Sequence, residues 1–142
     1  MIARTEWKPT ESVQNRFLAF SESGHQILFD ATSAHTDGAS PMEAVLMGLC
    51  GCTSADIVTI MGKKRQPMTS LTVAAVAEQQ AEPPKYFNKI RLVYTIGGKV
   101  SRKAAEDALH LSKTKYCSVS AMLERAAEIT FELVFADGEP LP

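Results

Sequence analysis

Three cysteines, Cys50, Cys52 and Cys117, are the residues of this chain whose type and placement allow thiol chemistry. Cys52 lies inside a long run of small and apolar residues, and Cys117 stands near the opening of a later helical pattern. A thiol at a helix N-terminus has its thiolate stabilised by the dipole, whereas a thiol in apolar surroundings is held protonated unless a cation compensates. Cys52 therefore needs help to react. The competing reading is that both cysteines pack as small hydrophobes. Cys50 and Cys52 differ by about 200° of rotation on a helix, so their sulfurs point apart and a zinc site is not expected. The chain has no Cys-x-x-Cys pair for thioredoxin-like exchange. His25, His35 and His110 lack ligand spacing, and neither a metal nor a cofactor is expected. Asp56, four residues after Cys52 and on the same helical face, is the polar residue least at home there; a basic partner or an uncapped backbone segment would satisfy it.

The element that must carry Cys52 runs from residue 40 to residue 65. Ser40 is a good N-cap, Pro41 suits the first helical position, and Glu43 completes a capping box. Lys63, Lys64 and Arg65 complement the C-terminal carbonyls before Pro67 forbids further helix. The stretch from Ala44 to Met61 approaches the length of a membrane span, but Gly48, Gly51, Thr53, Ser54, Asp56 and Thr59 dilute it. We read it instead as a helix surrounded by protein on most sides. Ala44, Gly48, Gly51 and Ala55 would admit a close neighbour, and a second subunit is expected to supply part of the cover.

Before this helix, strands are expected within residues 1–30: Ile2 to Trp7, Asn15 to Ser21 and His25 to Phe29, with a Pro9–Ser12 break and a turn at 22–24. After it, Leu71 to Glu78 and Phe87 to Ile96 alternate as the two strands of a hairpin within 69–97. Residues 101–136 read as two helices and a final strand: Ser101 caps the first helix, the second begins near Cys117, and Glu128 to Phe135 alternates. Ala136 to Pro142 is expected to be a loose tail. Strands, long helix, two strands, two helices and a strand make an α+β domain.

A chain of 142 residues suits one domain with a real core. With 15 basic against 16 acidic residues, a net charge of −1 offers no general attraction to nucleic acid or to an anionic membrane. An odd cysteine count does not fit a secreted disulfide framework, and Met1 to Pro9 carries Arg4, Glu6 and Lys8 in place of an apolar leader. A cytoplasmic location is expected.

Ser-Pro-Met-Glu at 40–43, Gly-Cys-Thr-Ser-Ala-Asp at 51–56 and Lys-Tyr-Cys-Ser-Val at 115–119, with Ser-Gly-His-Gln-Ile-Leu at 23–28, resemble the OsmC/Ohr family over nearly the whole chain. The resemblance is closest to its YhfA-like branch. It implies an OsmC-like fold: an intertwined homodimer whose long central helices pack against antiparallel sheets. In the family's peroxidases a cysteine of the central helix attacks a hydroperoxide and a second cysteine closes a disulfide. Cys52 and Cys117 match these positions, and an external dithiol would reset the pair.

Those peroxidases also support the thiolate with an arginine held by a glutamate. Where the hydroperoxide-resistance branch has that glutamate, directly after the proline, this chain has Met42, with Glu43 one place later. Nine residues of helix put Glu43 roughly 13 Å along the axis from Cys52 and half a turn out of phase, so a shared site would need the glutamate of a second subunit. Residues 30–39 contain no arginine, which leaves Arg16, on an early strand, as the candidate. Ser118 stands where a proline commonly follows the second cysteine. The resemblance implies a thiol-dependent reductase of organic hydroperoxides serving oxidative-stress defence. The alternative is a non-catalytic dimer that binds a small apolar or thiol-reactive ligand at its interface.

Overall fold

The structure, a computed structural model, describes residues 1–7 and 15–138, which fall into two units, residues 1–46 and 47–142. The expected break at Pro9–Ser12 and the last four residues of the expected tail lie outside the described residues.

The first unit contains β1 (Ala3–Glu6), β2 (Arg16–Ser21) and β3 (Gln26–Asp30), paired antiparallel in that order. The three strands lie within the segments expected from the sequence, and the turn between β2 and β3 falls on Glu22, Ser23 and Gly24. Gly24 has φ +84°, a conformation that a side chain resists, and the Ser21 N–H donates to the His25 carbonyl at 2.9 Å to close the turn. Register decides what each face shows. Phe17 opposite Phe29 and Ala19 opposite Ile27 share one face, while Arg16 opposite Asp30 and Leu18 opposite Leu28 share the other.

Helix α1 (Pro41–Lys63) begins in the first unit, and most of it belongs to the second. Its start follows the expected capping box: the Glu43 N–H donates to Ser40 Oγ at 3.1 Å, and the Ser40 N–H to Glu43 Oε2 at 2.7 Å. Its end comes two residues before the expected one. The Gln66 N–H reaches the Met61 carbonyl and the Arg65 N–H the Gly62 carbonyl, both at 3.0 Å, and Arg65 takes the left-handed φ of +53°. This is a Schellman stop with arginine at the position that usually holds glycine.

In the second unit β4 (Met68–Gln79) and β5 (Phe87–Gly98) form the expected antiparallel hairpin, and β6 (Glu128–Phe135) lies on the far side of β5. The β5–β6 pair is parallel, which requires a crossover. The crossover is α2 (Arg102–Leu111), a π-helical turn over Ser112–Tyr116, and α3 (Ser118–Leu123). Ser101 caps α2 by accepting from the Ala104 N–H. The π-turn was not expected, and α3 is shorter than the pattern suggested.

Alternation along β5 turns Ile90, Leu92, Tyr94 and Ile96 inward, where Leu49, Ile57, Ile60 and Met61 of α1 and Ala104, Ala105, Ala108 and Leu109 of α2 are also buried. Each large side chain buried here stabilises the unit by about 1.5–3 kcal/mol. The alternate residues face out, where Arg91 Nη1 meets Glu132 Oε2 at 2.9 Å.

Among the described residues α1 is covered along one side, and Met47 and Val58 are exposed. A Cβ built on Gly48, Gly51 or Gly62 would meet nothing within 4 Å. By length and composition the helix could also cross a membrane, with mean hydropathy 1.7 and 28% of its apolar window buried.

Candidate functional site

Cys52 and Cys117 both belong to the second unit, and the fold brings their thiols together. Cys52 sits one residue before the buried Thr53 on the covered side of α1 and is partly exposed. Cys117, only 2% exposed, ends the π-turn and precedes α3 with extended backbone. Its sulfur accepts from the Ser120 N–H at 3.4 Å. The placement near a helix start matches the sequence reading, but burial dominates: it pushes the Cys117 thiol up, against the lowering by the Ser120 hydrogen bonds. The Cys52 side chain, within hydrogen-bonding reach, pushes it up further. Cys117 therefore keeps its proton, and of the two sulfurs only Cys52 is open to a molecule arriving from outside.

Cys50 does not join them. It is half-buried on another side of the helix, and its thiol is also raised by burial, with the Ala75 backbone acting in the opposite direction. The divergence of Cys50 and Cys52 follows from helix rotation, as expected.

Beneath the pair lies a hydrogen-bonded chain that sequence reading missed. Ser112 Oγ donates to Asp56 Oδ2 at 2.8 Å, Thr53 Oγ1 lies 2.9 Å from Ser112 Oγ, and Tyr94 Oη lies 2.8 Å from Thr53 Oγ1. A carboxylate only accepts, and each hydroxyl has one proton. The direction is thereby set: Ser112 gives its proton to Asp56, Thr53 gives its own to Ser112, and Tyr94 gives its own to Thr53. Burial pushes the Tyr94 phenol up to about 12, opposed by the Thr53 hydrogen bond and aided by nearby Cys117, Cys50 and Asp56. Asp56 is thus satisfied by a serine hydroxyl, and not by the basic side chain or backbone segment expected for it. One signal was available in the sequence, since a tyrosine on the buried face of a strand must find a partner for its hydroxyl.

The other two candidates lie in the first unit, each bound to local partners. Arg16 Nη2 pairs with Asp37 Oδ2, and Arg16 Nε stands 3.6 Å from Asp30 Oδ2, too far for a hydrogen bond. Asp30, buried, also accepts from the Thr32 N–H at 2.9 Å and the Asp37 N–H at 3.2 Å. The Thr32 hydrogen bonds contribute most to lowering its carboxyl to about 2, followed by Asp37 and Arg16, against burial. Glu43 is held by Ser40, which lowers its carboxyl, with a smaller contribution from His35. Arg16 and Glu43 form no ion pair with each other among the described residues. Nor do those residues include a group of three His, Cys, Asp or Glu placed to hold a metal ion.

Residues 34–132 match the model of the family described as "OsmC-like protein". The chain is 42% identical over 139 residues to Protein YhfA of Escherichia coli strain K12, which covers 96% of this chain and 100% of that protein. A hypothetical protein from Aquifex aeolicus VF5 is similar in structure, with a TM-score of 0.79 and 29% identity over 94% of this chain and 96% of that one. An organic hydroperoxide resistance protein from Elizabethkingia anophelis superposes with a TM-score of 0.71 over 94% of each chain; at 15% identity it shows a shared fold alone.

Proposed function

Starting from the fact that this chain belongs to the OsmC-like protein family, we propose that it is a thiol-dependent peroxidase that reduces organic hydroperoxides. The observation that carries the reading is the pairing of a partly exposed Cys52 with a buried Cys117 whose proton is retained. The Cys52 thiolate attacks the distal oxygen of a hydroperoxide and breaks the O–O bond. The distal oxygen stays on Cys52 as a sulfenic acid, and the expelled alkoxide takes up the proton that the Cys52 thiol released on ionising and leaves as an alcohol. Cys117 then displaces the sulfenic hydroxyl, which departs as water with the Cys117 proton, and a Cys52–Cys117 disulfide forms. An external dithiol returns the pair to the reduced state at the expense of its own oxidation. A cytoplasmic site of action keeps the resting pair reduced. The exposed small-residue side of α1, where Gly48 and Gly51 leave room for a second helix, supports a homodimer as part of this reading.

The second reading is a non-catalytic dimer that binds a small apolar or thiol-reactive ligand. What favours it is the engagement of Arg16 with Asp30 and Asp37, and of Glu43 with Ser40, which leaves both committed within their own unit. The deciding measurement is intact mass with peptide mapping after one equivalent of cumene hydroperoxide meets the reduced protein. The peroxidase reading expects rapid loss of two hydrogens and a Cys52–Cys117 link. It also expects no peroxide consumption by Cys52→Ser and a sulfinic acid on Cys52 in Cys117→Ser. Unchanged thiols in the parent protein would reject the peroxidase reading and turn the search to ligands of the dimer.

A further inference from the structure

We infer that the chain Tyr94–Thr53–Ser112–Asp56 is a positioning device for Cys117, holding the π-helical turn in the register that keeps the second thiol against Cys52. The inference rests on the proposed pairing of these cysteines, and Ser112 is its centre. Through its side chain Ser112 is tied twice to α1, to Asp56 Oδ2 at 2.8 Å and to Thr53 Oγ1 at 2.9 Å. Through its backbone it is tied to Cys117, whose N–H donates to the Ser112 carbonyl at 2.8 Å. Thr53 is the chain neighbour of Cys52. A single residue thus connects the helix that carries one cysteine to the backbone of the other.

The bond from Cys117 back to Ser112 spans five residues, one more than an α-helix would use. Such π-turns are rare because the wider ring packs less well, and they persist where something outside the turn rewards them. Here the reward is visible. Ser112 is 1% exposed, and its hydroxyl accepts from Thr53 while its single proton goes to Asp56. In a plain α-helical register the Cys117 N–H would turn to Lys113, and everything after it would rotate by about 100° about the local axis. The Cys117 sulfur would then leave its place beside Cys52. Because the hydroxyl protons all run toward Asp56, removing the carboxylate or the serine hydroxyl strands the groups behind it, while Tyr94 only terminates the chain.

The consequence falls on one step. Attack on the hydroperoxide needs Cys52 alone, whereas closure forms an S–S bond to Cys117 and releases the sulfenic oxygen as water. Ser112→Ala should therefore lower the ratio of closure rate to attack rate about 10-fold or more, as a displacement of roughly 1 Å between reacting groups does. Sulfinic acid should accumulate on Cys52 as closure slows. Ser112→Thr, which keeps the hydroxyl, should restore closure. Equilibration in glutathione redox buffers provides a readout independent of peroxide chemistry, and there Ser112→Ala should lower the Cys52–Cys117 effective concentration by a similar factor. Unchanged thiols in the parent on hydroperoxide addition would reject the peroxidase reading, while the glutathione equilibrium would still test the positioning. Should Ser112→Ala fail to fold by circular dichroism, Asp56→Ala takes its place, since it removes only the final acceptor at a partly exposed position. A folded variant with the parent's disulfide equilibrium overturns the inference.

Discussion

Single residues here are governed by what surrounds them more than by their type. Three carboxylates make the point. Asp56 receives a serine hydroxyl, Glu43 receives a backbone N–H at a helix start, and Asp30 collects two backbone N–H groups beside an arginine. The last arrangement yields a prediction about acid stability. Asp30 is lowered from 3.8 to about 2 in the folded chain. A lowered carboxyl contributes stability that is present above its unfolded value and is lost as pH falls through the folded one. Thermal unfolding of the parent should therefore show melting temperature dropping between pH 3.8 and about pH 2. Asp30→Asn should be less stable at neutral pH and show a shallower acid limb. An acid limb of the same depth in the variant would remove Asp30 from the account.

Among the elements, α1 is the one whose limits are set by local chemistry at both ends. The Ser40–Glu43 box at its start serves stability, and Glu43 was also a candidate for the site. Two substitutions separate these roles. Ser40→Ala should cost about 1 kcal/mol, read as a lower urea midpoint at constant m-value. Glu43→Gln retains a side chain that can complete the box, so stability should stay close to that of the parent. Hydroperoxide turnover that collapses in Glu43→Gln while the urea midpoint holds would show that the glutamate also acts in chemistry. The crossover shows the limits of local signals. Alternation revealed β6, but it carries no information on whether β6 runs parallel or antiparallel to β5, and the π-turn that makes the crossing depends on Asp56 and Thr53 of a distant helix.

For the whole molecule the question is what covers the open side of α1. Among the described residues nothing lies near a Cβ at Gly48 or Gly51, so a larger side chain meets no clash with them there, whereas a second copy packed on this face would obstruct it. Gly51→Leu discriminates between the two states. On a helix face open to water it should be neutral or stabilising by up to about 1 kcal/mol, because glycine is the poorer helix former. On a face packed against another α1 it should displace the neighbour, lower the melting temperature and yield monomer in light scattering. The homodimer expects the second outcome, and retained stability with an unchanged molar mass would contradict it.

The amino-acid sequence by itself determined the elements and much of the site. Period-2 alternation marked β4, β5 and β6, turn residues at 22–24 separated β2 from β3, the Ser40–Glu43 box began the central helix, and the motifs around Cys52 and Cys117 identified the two thiols, because each of these signals lies within a few neighbouring residues. Tertiary structure alone decided the rest. That Cys117 is buried against Cys52, that Arg16 is taken by Asp30 and Asp37, and that Tyr94, Thr53, Ser112 and Asp56 share one run of protons depend on contacts between residues far apart in the chain. No local period records such contacts; they exist only once the hydrophobic core has brought α1, β5 and the crossover together.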